Sequence, residues 1–553
     1  MADESTSLPP ALQQLASDAW RQTARHALSA LARRPGPLGE AGRELIRTLD
    51  LSAALPAGAP ALVAHFAALA PDPVRAALLE ALDWELHTFR GGRKVEASHR
   101  LERVEPGARE RVEVPAERPG FDADVAALDL AAPHSMGDIT RYANAYLGST
   151  FVNDAIDNAR PVALHNGTAG EAIAAMQARG ATTFHRLATP KLHFQILIGD
   201  DLRYAIVCDD GLDMFRHLQK VLRAARSARG RRIDPALVSR FDHRADEASY
   251  RPSRFRRCFE SSGKIPPQVT VGFKNALLAA LATRASKVAH VRALQRSQSA
   301  LPPELEPLRD FDAGELLRSA SRRVWVDDLL TRARAAGHGE LVGAVPKVKL
   351  AAVDGPDDFL DHSRLTYLDA NGERREVLLV RNPYGEAAVA MGALFRDCGV
   401  ADVLVYGTAA SLDRASQVGE LHFASQATSA DGTVHAFQNH ALDARFAALH
   451  TLPGTRVASR VVNVRSPLDE LDRDIDRLRS EGHHLIEMEL AGLLRGLHGG
   501  TTRVAALHVV SDVPQSEHTL DGFSPIHAER ALDAAVDVWV ETFGIADLEL
   551  TPS

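Results

Sequence analysis

The spacing of apolar residues changes along the chain and predicts three regions. Between about residues 7 and 90, Ala, Leu and Trp recur every three or four positions, as in ALQQLASDAWRQTARHALSALA. This spacing places them on one face of a helix. The following forty residues mix charge with Pro and Gly, which is typical of a linker. We therefore expect residues 1–133 to form a helical N-terminal region with a linker.

Residues 134–340 combine helical and strand patterns. The apolar runs KLHFQILIG and LRYAIVCDD are joined at Asp200 and Asp201 and predict a β-hairpin. Long helical patterns follow, including MFRHLQKVLRAARSARGRR and NALLAALATRASKVAHVRALQRS. This region is expected to be a mixed α/β domain, and its sequence indicates no role.

Residues 345–553 alternate short apolar runs with helical patterns. LLVRN, ADVLVYG, TRVASRVVNV and TRVAALHVVSDVP have the character of strands, and AAVAMGALFRDCG and HAERALDAAVDVWVETFG that of helices. Such alternation predicts an α/β domain with a largely parallel sheet. Ligands of such sheets bind at the carboxyl ends of the strands.

Composition and charge narrow the functional classes. Of the 553 residues, 45% are hydrophobic and 25% charged, and the mean hydropathy is −0.15, values typical of a globular protein. The net charge of −8 gives no overall attraction to nucleic acid or to an anionic membrane. No apolar run approaches the roughly 18 residues that span a bilayer. Because the three cysteines form no CxxC pair and no signal-peptide pattern opens the sequence, we expect a cytoplasmic protein without disulfides.

Two segments of the third region join an apolar strand to residues suited to bind a ligand. Gly407 and Thr408 follow VLVY, where backbone N–H groups and a hydroxyl can approach an anion or a sugar oxygen. A tight turn with Thr408 as a helix N-cap is the alternative. Glu487 and Glu489 flank Met488 in an apolar run, where the hydroxyl groups of a ligand would offset the cost of burying carboxylates. An acidic first helical turn is the alternative.

A third segment, VAALHVVSDVP, ends an apolar strand with Ser511 and Asp512. Desolvation at the end of a buried strand would raise the pKa of an aspartate, so that it carries a proton at neutral pH. A general acid needs this property. An Asx turn or a helix cap is the alternative.

Together and in this order, these motifs resemble the nucleoside phosphorylase and nucleosidase superfamily over about residues 347–544. The family pattern is a glycine turn, G-[ST]-x-G, V-G-D, E-M-E and S-D. The matching segments are Asn382–Gly385, Gly407-Thr408-Ala409-Ala410, Val418-Gly419-Glu420, Glu487-Met488-Glu489 and Ser511-Asp512. The resemblance implies a three-layer α/β/α phosphorylase-type domain that cleaves the N-glycosidic bond of a purine nucleoside or nucleotide and releases free base.

The resemblance also implies roles for individual residues. Asp512 would give a proton or a hydrogen bond to N7 of the purine, and Glu489 would hold the ribose 2′ and 3′ hydroxyls and stabilise the developing charge. Met488 would pack under the ribose, and Glu487 would support the site or orient a water. Thr408 would face the nucleophile side of the sugar. The other expected substrate-binding residues are Gly385, Gly407, Arg465 and Ser511.

Two departures from the family pattern bear on the nucleophile. The phosphate loop of the family, Gly-Asp-Pro-x-x-Arg, is matched only by a scrambled Gly-Pro-Asp-Asp at 355–358, and no arginine precedes Gly407. These departures favour hydrolysis, with phosphate left open as a co-substrate that Arg381, Arg414 or Arg465 would hold. No metal or redox cofactor is implied. The resemblance also implies a homo-oligomer.

The N-terminal two-thirds support an alternative function. Between Arg216 and Arg257 there are thirteen Arg or Lys against four Asp or Glu, with three aromatic residues interleaved. Such a stretch can bind RNA, single-stranded DNA or polyphosphate, or it can be a solvated helix face. His165-Asn166-Gly167-Thr168 suits an anion site at a helix start, or a turn with an N-cap. The alternative is thus a catalytically weak, nucleotide-sensing domain attached to a unit that binds nucleic acid or a partner.

Overall fold

A computed structural model divides the chain into two compact units. Unit 1 comprises Met1–Glu247 with Ser466–Asp472, and unit 2 comprises Ala248–Arg465 with Arg473–Ser553. The structure describes residues 28, 37–51, 101–104, 114–126, 128, 134, 139–148, 151–156, 158–187, 193–209, 211–228, 237–243, 247–261, 263–296, 301–346, 348–355, 361–518 and 525–551. Most of the predicted N-terminal helices and linker lie outside these residues.

Unit 1 is a seven-stranded sheet with helices. Its sheet has the order β1-β4-β5-β6-β3-β7-β2, and β3 pairs in parallel with both β6 and β7. The predicted hairpin is confirmed, because β5 and β6 pair antiparallel across the Asp200–Asp201 turn. The described helices are α1 (Pro37–Leu51), α2 (Ala123–Ala126), α3 (Ile139–Leu147), α4 (Ala169–Gln177) and α5 (Leu212–Ala228). The strands are β1 (Leu101–Val104), β2 (Arg118–Pro119), β3 (Val162–Asn166), β4 (Phe184–Leu187), β5 (Gln195–Gly199), β6 (Tyr204–Cys208) and β7 (Val238–Asp242).

Unit 2 contains the remaining helices and strands. Helix α6 (Glu247–Glu260) starts it, followed by α7 (Lys274–Arg296), α8 (Glu315–Arg318), α9 (Ala320–Ala335), α10 (Gly339–Val342), α11 (Ala387–Asp397), α12 (Ala447–His450), α13 (Asp472–Ser480), α14 (Leu490–Leu497) and α15 (Pro525–Phe543). The strands are β8 (Gln268–Gly272), β9 (Lys349–Leu350), β10 (Ala352–Asp354), β11 (His362–Asp369), β12 (Arg374–Val380), β13 (Asp402–Ser411), β14 (Leu421–Thr428), β15 (Val434–Ala436), β16 (Thr455–Asn463), β17 (Leu485–Glu487), β18 (Arg503–Asp512), β19 (Ile545–Leu548) and β20 (Leu550–Thr551).

The large sheet of unit 2 has a parallel core that closes into a ring. Strands β12, β8, β13 and β18 are neighbours and run parallel. Beyond them, β18 pairs with β14, β14 with β16, β16 with β17, and β17 returns to β13. Five strands, β13, β18, β14, β16 and β17, therefore form a closed circuit. The expected parallel sheet is thus confirmed for its centre only, since β14 and β17 run antiparallel to their neighbours β18 and β13.

Alternate residues of the central strands face two separate cores. On β13, Leu404 and Tyr406 join a core with α7, α8, α9 and α15, whereas Val403 and Val405 join a core with α6, α11 and α14. This follows from the two-residue period of a strand, which sends successive side chains to opposite faces. Helices therefore cover both faces of the sheet, and the predicted three-layer α/β/α architecture is confirmed for this part of the chain.

The boundary predicted between residues 340 and 345 falls inside unit 2. Strand β8 inserts between β12 and β13, with Val271 opposite both Val380 and Val405. Helix α7, which follows β8, packs its apolar face into the core beneath the sheet. Sequence alone assigned both elements to the middle region, because the partner strands of β8 lie more than a hundred residues further along the chain.

No helix within the described residues is both long enough and apolar enough to span a membrane.

A buried ion network joins three helices of unit 2. Arg284 of α7 lies 2.5 Å from a carboxylate oxygen of Asp533 and 2.6 Å from one of Asp537, both on α15. Arg323 of α9 contacts Asp533 at 2.7 Å. The Arg284 side chain is only 3% exposed, so its charge depends on these partners.

We expect Arg284→Met to lower the free energy of unfolding by about 3 kcal/mol, because it removes one of the two arginines that Asp533 and Asp537 share and leaves the largely buried Asp537 with Arg323 at 3.4 Å. Lys287→Met on the same helix is the matched control, since Lys287 pairs with the half-exposed Asp327 and should cost below about 1 kcal/mol. Urea unfolding of the full chain measures both. Equal losses in the two variants would contradict the assignment of the network as a stabilising one.

Candidate active site

Strand β13 changes its partner at the residues that the sequence singled out. Along one edge it pairs continuously with β18, from Asp402 to Ala410. Along the other edge it pairs with β8 up to Tyr406 and with β17 only from Ala410. The intervening residues, Gly407 to Ala409, have no strand partner on that edge among the described strands. We call this gap the fork of the sheet.

Asp512 lies on β18, the strand that borders the fork on one side. Its partner in the register is Ala410, and a bulge at Ser511 precedes it. Both Ser511 and Asp512 are buried, and the Ser511 hydroxyl donates a 2.6 Å hydrogen bond to Asp512 Oδ1. The neighbouring hydroxyl therefore fixes the orientation of a carboxyl group that ends a buried strand.

The Val418-Gly419-Glu420 motif holds the strand that carries Asp512. The N–H of Gly419 donates to the carbonyl of Val510, and the N–H of Val510 donates to the carbonyl of Glu420, both at 2.8 Å. Gly419 has a φ of +93°, which favours glycine at this position. The motif is therefore a backbone clamp, and Glu420 contributes to it through its main chain.

Glu487 and Glu489 reach the other side of the fork from β17. Ile486 pairs with the same Ala410 as Asp512 does, so the two strand ends are about 10 Å apart. The Glu487 carboxylate accepts hydrogen bonds from the N–H groups of Glu489 at 2.7 Å and Leu490 at 2.9 Å. It therefore caps the start of α14.

The environment of Glu487 opposes its ionisation. Burial raises the pKa of its carboxyl group to about 7, although the backbone N–H groups of Glu489, Leu490 and Met488 favour the charged form. Met488 and Glu489 are half-buried at the start of α14. The structure therefore supports the alternative of an acidic helix start for Glu487, and ligand binding by Glu487 and Glu489 stays a prediction.

Gly407 and Thr408 form the floor of the fork. They lie within β13, so the predicted turn with Thr408 as an N-cap is wrong: the strand continues to Ser411, because β18 and then β17 supply its hydrogen bonds. Thr408 is the one half-buried residue of a strand that is otherwise buried. A Cβ atom on Gly407 would lie 2.9 Å from Nδ2 of Asn382, so a side chain here would collide with that amide.

Glycines allow the Asn382–Gly385 turn to lie close to the helix that follows the Glu487-Met488-Glu489 motif. Gly385, with a φ of +54°, ends the turn after β12, and its carbonyl oxygen would lie 3.5 Å from a Cβ atom on Gly492 of α14. A Cβ atom on Gly392 of α11 would lie 2.4 Å from the carbonyl of Leu493, so α11 and α14 pack backbone to backbone. This close packing holds the Asn382–Gly385 turn beside the start of α14.

The arginines proposed as phosphate ligands have different surroundings. Arg465 is exposed and lies two residues after the end of β16. Arg414 is largely exposed and donates to Gln515 Oε1 at 3.0 Å. Arg381 is buried directly after β12. Residues 356–358 of the scrambled phosphate loop lie outside the described part of the chain.

Two polar residues of the site did not enter the predicted set. Asn382 belongs to the Asn382–Gly385 motif, of which only Gly385 was expected to bind substrate. Asn463 ends β16 opposite Glu487. Asn463 Oδ1 accepts a hydrogen bond from the N–H of Ala491 at 3.3 Å. Each asparagine stands at the end of an apolar strand pattern, and this position is the feature of the sequence that could have identified it as a site residue.

The candidate motifs of unit 1 have structural explanations. Thr168 and Glu171 form a reciprocal capping box at the start of α4, so a carboxylate already occupies the place that an anion would take. In α5, Lys220 and Arg226 are buried, and Lys220 pairs with Asp469 of the same unit. These side chains point into the unit, away from any nucleic acid at its surface. Residues 229–236 of the basic stretch lie outside the described residues.

Comparison with known proteins finds solved structures that are similar to part of the chain. No family model matches, and no curated protein matches. Solved structures that are similar include a 5′-methylthioadenosine/S-adenosylhomocysteine nucleosidase from Neisseria meningitidis (15% identity, 34% of this chain, 90% of that chain, TM-score 0.29). Others are futalosine hydrolase of Helicobacter pylori (16%, 35%, 89%, 0.29) and uridine phosphorylase from Vibrio fischeri (14%, 50%, 95%, 0.30).

Two buried histidines face each other across β14 and β18, in the ring that carries Asp512. His422 and His508 are paired in the register, and His422 Nδ1 lies 2.9 Å from the Ser459 hydroxyl. Burial lowers the pKa of His422 to about 3, and that of His508 to about 4. Folding therefore favours their neutral forms. The stability they contribute is present above pH 6.5 and is lost as the pH falls towards these values.

We expect the chain to lose stability between pH 7.5 and pH 5, with each of these histidines contributing up to about 2 kcal/mol to the loss. His508→Gln should reduce the loss, because glutamine does not titrate. The matched control is His338→Gln, since the His338 side chain is 40% exposed. Urea unfolding at the two pH values measures the difference, and an unchanged loss in His508→Gln would refute the role of the pair.

Proposed function

We propose that unit 2 cleaves the N-glycosidic bond of a purine nucleoside or nucleotide, releasing the free base, with water as the nucleophile. The observation that supports this most directly is the fork, where Asp512 and the Glu487–Glu489 segment flank Gly407 and Thr408 from two strands. A donor for the leaving base and an acceptor for sugar hydroxyls on opposite sides of an open floor suit cleavage through an oxocarbenium-like transition state.

Asp512 would act on the leaving base. As the bond to the anomeric carbon breaks, its electron pair moves into the purine, and a proton at N7 neutralises the charge. The hydrogen bond that Ser511 donates to Asp512 Oδ1 fixes the carboxyl plane for this contact. A buried position also strengthens any hydrogen bond made there, since water does not compete for it.

Glu489 would act on the sugar. Its carboxylate would accept hydrogen bonds from the 2′ and 3′ hydroxyls and stabilise the positive charge that develops on the ring. Glu487 positions it indirectly, because its cap on the N–H groups of Glu489 and Leu490 fixes the backbone from which Glu489 projects. Met488 lies between them and would pack beneath the ribose.

Hydrolysis suits the surroundings of the arginines better than phosphorolysis does. Arg414 is bonded to Gln515 and Arg465 is exposed, so neither has the buried, aimed guanidinium that a phosphate nucleophile needs, whereas the buried Arg381 keeps phosphate open as a co-substrate. Self-association and a cytoplasmic location, both expected from the sequence, stay predictions. The inward-pointing basic residues of α5 give the alternative of a nucleic-acid-binding unit no added support.

We expect wild-type protein to release free base from at least one purine nucleoside or nucleotide without phosphate, and Asp512→Asn to slow release by about 10²- to 10⁴-fold. Chromatography of a substrate panel, with and without phosphate, measures this. Asp431→Asn is the matched control, because Asp431 is exposed in the turn between β14 and β15 and should leave the rate unchanged.

Three results would change the proposal. Release that requires phosphate would make the protein a phosphorylase. Equal rates for Asp512→Asn and wild type would remove Asp512 from the chemistry. No release from any panel member, by protein that is folded, would favour the nucleotide-sensing alternative.

A further inference from the structure

The Asn382 side chain extends over the fork from the side opposite Asp512. It follows β12, which is separated from β13 by β8, and β8 ends at Gly272. The amide passes this end and reaches Gly407, where Nδ2 lies 2.9 Å from the position of an added Cβ atom. No other described side chain or backbone atom comes within 4 Å of that position outside the neighbouring residues of the chain. The space above Gly407 is therefore bounded by this amide and is otherwise open.

The Asn382 amide makes no hydrogen bond with the described residues, although its oxygen is buried. Oδ1 has no partner. Asn439, in the same unit, shows the ordinary arrangement: its Nδ2 donates to Ala424 and Ala506, and its Oδ1 accepts from Ala441 and Ala506. Folded proteins bond nearly all buried polar groups, so an exception calls for an explanation. A ligand at the fork would supply the missing partner.

We infer that the Asn382 amide binds the attacking water of the proposed reaction; this inference rests on the proposed function. The reason is the position of Asn382 relative to Asp512. In a displacement at the anomeric carbon, the nucleophile approaches from the side opposite the leaving base. Asp512, which contacts the base, lies on the β18 edge of β13, whereas Asn382 reaches Gly407 from the β8 edge.

The chemistry of an amide favours water over phosphate at this point. Asn382 is neutral, so it cannot supply the positive charge that usually holds a phosphate. Water both donates and accepts, so it can bind either end of the amide. Holding the water near the anomeric carbon would convert its attack into an intramolecular step.

The step balances without a further reactant. The water oxygen forms a bond to the anomeric carbon, the bond to the purine nitrogen breaks with its electron pair on the base, and Asp512 delivers a proton there. The attacking water then releases one proton to the solvent, and Asp512 regains one from it. Asn382 neither gains nor loses a proton, so it acts by orientation.

The first test compares Asn382→Ala with Asn439→Ala. Asn382→Ala should lower kcat on the order of 10- to 100-fold with little change in KM, because the bound water is lost and the substrate contacts remain. Its thermal midpoint should be unchanged or higher, since it removes a buried acceptor that has no donor. Asn439→Ala should lower the midpoint by several degrees, because it leaves four backbone groups without a partner.

The second test follows the nucleophile itself. In water with added methanol, the products are free ribose and the methyl riboside, and the site that holds water favours ribose. Asn382→Ala should raise the ratio of methyl riboside to ribose, a change that a merely structural residue would not cause. Gly407→Ala, which would push the amide aside, should shift the ratio in the same direction.

The outcomes separate this inference from the proposed function. Wild-type activity with unchanged kcat and product ratio in Asn382→Ala would overturn the role of Asn382 and leave the function standing. A thermal midpoint as low as that of Asn439→Ala would show that Asn382 is a structural residue. No base release by the wild type would overturn the function, and the inference with it.

Discussion

The partner change of β13 is the constraint on which the site depends. A strand must hydrogen-bond along both edges when it is buried, and β13 meets this requirement with β18 on one edge and with β8 and β17 in succession on the other. The gap between β8 and β17 along this edge is short, from Gly407 to Ala409. A ligand can approach the backbone there because no neighbouring strand blocks it, while the rest of the strand stays fixed by its pairing.

Glycine makes this arrangement sterically feasible at two points. At Gly272, a Cβ atom would lie 1.8 Å from the carbonyl oxygen of Tyr406, and the φ of +141° is one that other residues rarely adopt. At Gly407, a Cβ atom would lie 2.9 Å from Nδ2 of Asn382, too close for the amide to keep its position. The first glycine allows β8 to end against β13, and the second leaves room above the strand that follows. The fork therefore depends on the absence of two side chains.

Buried charged and polar groups have different kinds of partner in the scaffold and at the site. In the scaffold, Arg284 is matched by Asp533 and Asp537, so every charge has a partner within the fold. At the fork, Glu487 is satisfied by backbone N–H groups, whereas the Asn382 oxygen has no partner among the described residues. The first arrangement stabilises the fold. The second leaves hydrogen-bonding capacity for a ligand.

The sequence by itself determined several of the helices and strands of unit 2, the hairpin of unit 1 and the motif residues at the fork, because periodicity and side-chain type are local properties. It did not determine which strands are neighbours. Strand β8 joins partners more than a hundred residues away, so the predicted domain boundary missed it. Glu487 as a helix cap and Asn382 above Gly407 were likewise decided by tertiary structure, since hydrogen bonding and steric contact depend on distances in space that spacing along a chain does not encode.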